Sequence, residues 1–257
     1  WMKRTLAVLL GSLMILSACS SGEDTAEESG QETADESSEQ NSEEAAETSS
    51  DASSDEEGNL TSADLISSAV ENSDSVTSYE AAQTINITNA DDESTIRTIM
   101  TYGEQNEFKL SVNNNGDILT HYVVDGDHFI YQNNEILNSD ETMEAEGGDY
   151  QTIVTSLENY PEGEVSELEE GYAVTVNIED ASAFGNVLDE ETASAIEAAD
   201  SINGTLQLYF NADHVFTGSE LEADIVSEGE EINVHSTVDY TDIGNIEMIE
   251  KPHNMSE

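Results

Sequence analysis

From Leu60 onward apolar and polar residues alternate along much of the chain. Tyr79, Ala81, Gln83, Ile85 and Ile87 interleave with Glu80, Ala82, Thr84, Asn86 and Thr88, the period-two pattern of a half-buried strand. The same pattern predicts strands over 95–102, 107–112, 118–124 and 128–132, divided by turn residues at 89–92, 103–106, 113–117 and 125–127. Connections this short make consecutive strands antiparallel neighbours, so the five form a meander. Farther along, 172–178, 205–210, 215–226 and 231–243 carry the strand pattern again.

Helical spacing interrupts the strands. Thr61 is placed to cap a helix, Asp64 completes an acidic capping box, and Leu65, Ile66, Ala69, Val70 and Ser73 follow helical periodicity. Asp149 caps a short helix that puts Ile153, Val154 and Leu157 on one side before Pro161 stops it. Asp180 caps another over 181–199, with Phe184, Val187, Leu188, Ala195, Ile196 and Ala199 as its stripe and Gly185 weakening it. The order predicts an α+β fold: a curved antiparallel sheet of about 8–11 strands wrapped around two or three helices.

The first 59 residues break this pattern. Residues 6–18 are apolar apart from Gly11, Ser12 and Ser17, too short for the roughly 20 residues of a spanning helix. Behind Lys3 and Arg4 they read as the h-region of a secretory signal, with Met2 as the start and Trp1 without a role. Leu16-Ser17-Ala18-Cys19 resembles the lipobox of bacterial lipoproteins. That resemblance implies cleavage between Ala18 and Cys19 and acyl chains on Cys19, which tie the protein to the outer leaflet. Two or more chains hold stably, at about 0.8 kcal/mol per buried methylene, where one holds only marginally. Cys19 is also the single cysteine, so no intramolecular disulfide forms. The expected organisation is a removed signal at 1–18, a lipidated linker at 19–59 and one domain at 60–257.

Charge sharpens the picture. Residues 20–59 hold fifteen acids, no base and no aliphatic side chain larger than alanine, so they predict a disordered tether extended by self-repulsion. Residues 60–257 add 43 acids against Arg97, Lys109 and Lys251, and the whole chain carries a net charge of −53 at pH 7. Such repulsion strains a compact domain in dilute buffer. At ~1 M salt the Debye length falls to ~3 Å and most of it is screened, so the composition points to a salty exterior. With no basic patch, nucleic acid and anionic headgroup surfaces are excluded as partners.

No catalytic constellation stands out, and the chain is read as a non-enzyme without cofactor. His121, His128, His214, His235 and His253 stand singly, with no second ligand at helical or strand spacing, so no metal site is read from them. No Gly-x-Ser-x-Gly elbow occurs. The runs at 113–117 and 125–127 lack the twelve-residue calcium-loop spacing and are read as hairpin turns. What remains is apolar strand surface. Ile85, Ile87, Ile99, Phe108, Leu110, Tyr122, Phe129, Tyr131, Leu208, Phe210, Val238 and Tyr240, with Val112, Val124, Leu206 and Val234, are expected on one side of the sheet. They line an apolar pocket if the sheet curves away from its helices, and form a plain core if it does not.

Several stretches carry a family resemblance. SADLISSAVENSDSVTSYEAAQTINIT resembles the opening of a group of uncharacterised Gram-positive lipoproteins, YVVDGDHFIYQNNE their hairpin, LQLYFNADHVFTGSELEADI their penultimate hairpin and VDYTDIGNIEMIEKPHN their closing strand. That group is similar in fold to the LolA and LppX lipoprotein carriers, where a curved sheet leaves an apolar cavity for acyl chains. The chain departs from the group in having acids where lysines are usual, and in its Asn211-Ala212-Asp213-His214 turn. The resemblance implies a monomeric cell-surface lipoprotein of half-barrel fold that binds or carries a lipid-like ligand. The alternative is an envelope interaction or structural lipoprotein with a filled core.

Overall fold

The computed structural model describes residues 60–90, 92–104, 107–133, 135–138, 148–179, 199–227 and 229–251. The leader, Cys19, the acidic linker and all but the end of the helix predicted over 181–199 lie outside them. Among these residues eleven strands form one antiparallel sheet: β1 (Tyr79–Asn89), β2 (Glu93–Tyr102), β3 (Phe108–Asn114), β4 (Asp117–Val124), β5 (Asp127–Gln132), β6 (Glu135–Asn138), β7 (Glu164–Leu168), β8 (Gly171–Ile178), β9 (Ser201–Asn211), β10 (Phe216–Ser227) and β11 (Glu230–Thr241). Two meanders, β1 to β6 and β7 to β11, meet where β1 pairs with β11, and the sheet does not close. This is the α+β architecture that the patterns predict.

Turn chemistry sets the register. Asn115 and Gly116 both take positive φ (51° and 102°), as do Asp125 and Gly126 (57° and 83°), the conformation that tight two-residue hairpins require. Asn114 therefore faces Asp117 and Val124 faces Asp127. Two strands escape the pattern reading, and both are edges. β6 has four residues, and β7 (EVSEL) offers the core little beyond Val165. Their glutamates Glu135, Glu164 and Glu167 discourage a further strand from adding.

Both described helices begin at the expected caps. α1 (Ser62–Ser73) opens on a full capping box: Asp64 N–H donates to Thr61 Oγ1 at 3.1 Å, and Thr61 N–H donates to Asp64 Oδ2 at 3.2 Å. α2 (Tyr150–Ser156) is capped by Asp149, which accepts from Thr152 N–H at 2.8 Å, and tightens into a 3-10 turn (Leu157–Asn159) before Pro161. Leu65, Ile66 and Ala69 of α1 and Ile153, Val154 and Leu157 from α2 and its last turn pack with Tyr79, Phe108, Leu208, Phe210, Phe216 and Tyr240 of the sheet. Burying a large apolar side chain contributes ~1.5–3 kcal/mol, so this side of the sheet, the inner face, holds the main core. No helix among the described residues is long and apolar enough to cross a membrane.

Candidate functional site

Directly opposed residues of an antiparallel ladder share a face, so the registers trace the inner face across the sheet. From Ile85 and Ile87 on β1 it passes to Ile96 on β2 and to Phe108, Leu110 and Val112 on β3. It continues through Leu119, His121 and Val123 on β4, His128 and Ile130 on β5, and Leu137 on β6. In the other direction it runs through Val238 and Tyr240 to Leu208 and Phe210. Of the expected pocket residues, Ile85, Phe108, Leu110, Leu208, Phe210, Val238 and Tyr240 face inward and are buried, and Ile87 faces inward half-buried.

Ile99, Tyr122, Phe129 and Tyr131 face the other way. Ile99 opposes Ala82 and is 45% exposed on the outer face. Tyr122 opposes Lys109 and Phe129, and Tyr131 opposes Thr120. On β4 and β5 both alternating rows are apolar enough to be inner, and the two hairpin turns turn the aromatic row outward. There Tyr122, Val124 and Phe129 close on Ile249, with Tyr131 and Ile136 around them, as a second small core. The Tyr122 and Phe129 rings stack at 5.0 Å and 5°. Ile249 belongs to the segment after β11, which Ser78 holds: its carbonyl accepts Gly244 N–H at 2.7 Å and its Oγ accepts Ile246 N–H at 3.0 Å. Farther on, Lys251 Nζ meets Asp125 at 2.5 Å.

With that aromatic row outside, the inner face of the first meander is left half open. Ile87, Ile96, Val112, Leu119, Val123 and Ile130 are all half-buried, and Leu137 is 48% exposed. Leu119, Ile130 and Leu137 join neither hydrophobic cluster among the described residues. Arg97 and Lys109 alternate onto the opposite face, opposing Thr84 and Tyr122. Two histidines supply the polarity instead. His121 and His128 stack at 5.4 Å with Nδ1 and Nε2 3.1 Å apart, a hydrogen bond that leaves at most one of those two nitrogens protonated. Burial, with a smaller contribution from His128, holds His121 below the usual imidazole value. Aliphatic side chains beside a histidine pair, with the inward-facing Ser94, Asn114 and Gln132 at their margin, suit an acyl chain whose polar end needs a donor or acceptor.

Tyr79, Tyr150, Tyr240 and Phe216 pack ring to ring deeper in the core. Tyr79 Oη donates to the Gly148 carbonyl at 2.6 Å and Tyr150 Oη to that of Phe216, whereas the buried Tyr240 hydroxyl has no partner among the described residues. Burial pushes the Tyr240 and Tyr150 hydroxyls well above the usual phenol range.

Of the histidines that stand singly along the chain, His121, His128 and His235 meet a titratable partner in space, His214 packs edge-on against the Tyr172 ring, and His253 lies outside the described residues. Besides the His121–His128 pair, His235 Nε2 lies 2.7 Å from Glu220 Oε1 on the outer face, and Tyr209 Oη donates to Glu220 Oε2 at 2.9 Å. These contacts hold the Glu220 carboxyl below the usual carboxylate range, His235 contributing most. Glu222 lies directly opposite His235 across the ladder. Separations of 7 and 15 residues match neither the i, i+3 or i, i+4 of a ligand pair on a helix nor the i, i+2 of one on a strand, so spacing alone passes over them. The hairpins would have revealed both: a two-residue turn at 125–126 folds His128 next to His121, and the antiparallel pairing of β10 with β11 brings Glu222 onto His235.

No family model and no curated protein matches the chain. Among solved structures it is similar to LprF from Mycobacterium bovis (8% identity, TM-score 0.40), covering 73% of this chain and 95% of that one. It is also similar to the LolA superfamily protein NE2245 from Nitrosomonas europaea (9%, TM-score 0.27; 77% and 97% covered) and to a DUF1329 family protein from Desulfovibrio piger (6%, TM-score 0.25; 69% and 90% covered). Likenesses at this level carry no argument about ligand or activity, which rest on the chain's own residues.

Proposed function

We propose that the protein is a lipid-anchored, extracytoplasmic lipoprotein whose domain binds an acyl-bearing amphiphile along the open part of its inner face, without catalysing a reaction on it. The observation that carries the reading is the strip from Ile87 and Ile96 through Leu119 and Ile130 to Leu137. Its aliphatic side chains recur on all six strands of the first meander and stay half-buried to half-exposed, with Ser94 and Asn114 between them on the same face. Water-facing apolar surface of this kind gains ~25 cal/mol for every Å² that a ligand covers. Anchoring through Cys19 rests on the lipobox.

Native mass spectrometry of the protein, with organic extraction of what it carries, tests the binding. A bound lipid, or saturable uptake of a fluorescent fatty acid, is expected; neither appearing removes the proposal. Anchoring has its own test. Cys19→Ala should release the protein to the medium, and a variant that stays with the membrane fraction would contradict the assignment. A second reading, a filled-core lipoprotein that binds another envelope protein, draws support from the close packing of α1 and α2 on the sheet. Its signature is an unliganded domain that does not take up fatty acid.

A further inference from the structure

The outer face of the second meander holds a different group of side chains. Glu220 and Glu222 lie two apart on β10 and so share a face, and His235 reaches them from β11. One ligand atom from each lies within 4.8 Å of the others, with the imidazole nitrogen already 2.7 Å from Glu220 Oε1. Glu222 and His235 line an open groove of about 530 Å³ whose walls, on β1 and on β8 to β11, also include Asn86, Asn177, Asn203 and Asp224, and Glu220 adjoins them on the same face. The cluster is out of balance in charge. Two carboxylates face one imidazole, and among the described residues no lysine or arginine is ion-paired with either; Arg97, on the same outer face, stands three strands away on β2.

We propose that Glu220, Glu222 and His235 form a binding site for a first-row divalent cation of the zinc type. A divalent ion with two carboxylates and a neutral imidazole makes a neutral set, which no proton placement on these groups achieves with both acids ionised. An imidazole among the ligands favours such an ion over calcium or magnesium, which prefer oxygen throughout. Three protein ligands leave a fourth position for water, and here that position opens on the groove. Tyr209 already holds the other oxygen of Glu220, so Oε1 turns to the metal while Oε2 keeps its hydrogen bond, the outer-shell support that ligating carboxylates usually have. On binding, His235 Nε2 gives up its contact with Glu220 and coordinates as the neutral ring, its proton passing to Nδ1 or to solvent.

The experiment must separate a built site from loose condensation on an acidic chain. The full chain in detergent is stripped with chelator and titrated with Zn²⁺ in 1 M NaCl, where non-specific attraction is screened. One saturable site is expected, weakened about tenfold or more in Glu222→Gln and in His235→Ala and unchanged in His121→Phe. Uptake without saturation, or an affinity that neither substitution moves, overturns the site. Should a variant fail to fold, the wild-type protein decides alone. With one equivalent of Cu²⁺, its electron paramagnetic resonance spectrum should show coupling to one imidazole nitrogen. A spectrum with oxygen ligands only, or with the two nitrogens that His121 and His128 would supply, overturns it.

Discussion

His121 shows how one side chain can report on the state of the inner face. Its ring is half-buried between apolar neighbours on β4 and β5 and bonded to His128, so the folded protein favours its neutral form. The sign follows from linkage. With the folded value below the unfolded value near 6.5, the unfolded chain takes up more protons as pH falls below 6.5. Stability from this group is complete above that pH and is lost progressively as pH drops toward the folded value. Melting temperatures between pH 7.5 and 5.5 should therefore fall more steeply for the native chain than for His121→Phe, which keeps ring stacking and removes the titration. Parallel profiles would exclude His121 as the source. At Glu220 the lowered carboxylate value works in the same direction at lower pH, its stability being lost as pH falls through that value.

At the scale of elements, the segment after β11 is a structural member and not a loose exit. Ile249 is 5% exposed, and its side chain also rests against Gly103, where an added Cβ would come within 3.3 Å. Ile249→Ala should cost about 2–5 kcal/mol, a range set by buried aliphatic truncations, read as a lower denaturant midpoint; an unchanged midpoint would deny the second core. This element also marks where reading the chain reached its limit. Alternation with Asn115-Gly116 and Asp125-Gly126 made β1 to β5 legible, and Thr61 with Asp64 made α1 legible, because those signals are local. Which row of β4 faces the helices is not local. Tyr122 and Phe129 are more apolar than His121 and His128, so they read as inner residues until Ile249, more than a hundred residues away, supplies the surface that buries them outside. β6 and β7 were illegible for a different reason: an edge strand buries little, so it needs little apolar alternation.

For the whole molecule, two scarcities decide behaviour. Basic residues are nearly absent, and with a net charge of −53 self-repulsion opposes compaction. The melting temperature should therefore rise from dilute buffer to 1 M NaCl as the Debye length shrinks to ~3 Å; a flat curve would mean that the acids are spaced beyond mutual influence. Closed apolar surface is the second scarcity. Among the described residues the core fills the inner face under α1 and α2 and thins out toward β6, where the half-exposed strip is the proposed ligand surface. A photoreactive fatty acid tests this most directly: bound to the protein in 1 M NaCl, irradiated, and its adducts located by peptide mass spectrometry. Adducts on peptides carrying Leu119, Ile130 and Leu137, lost when Leu119→Asp and Ile130→Asp are introduced and kept with Ile99→Asp, are the predicted result. Adducts absent altogether, or confined to the outer face around Ile99, would contradict it.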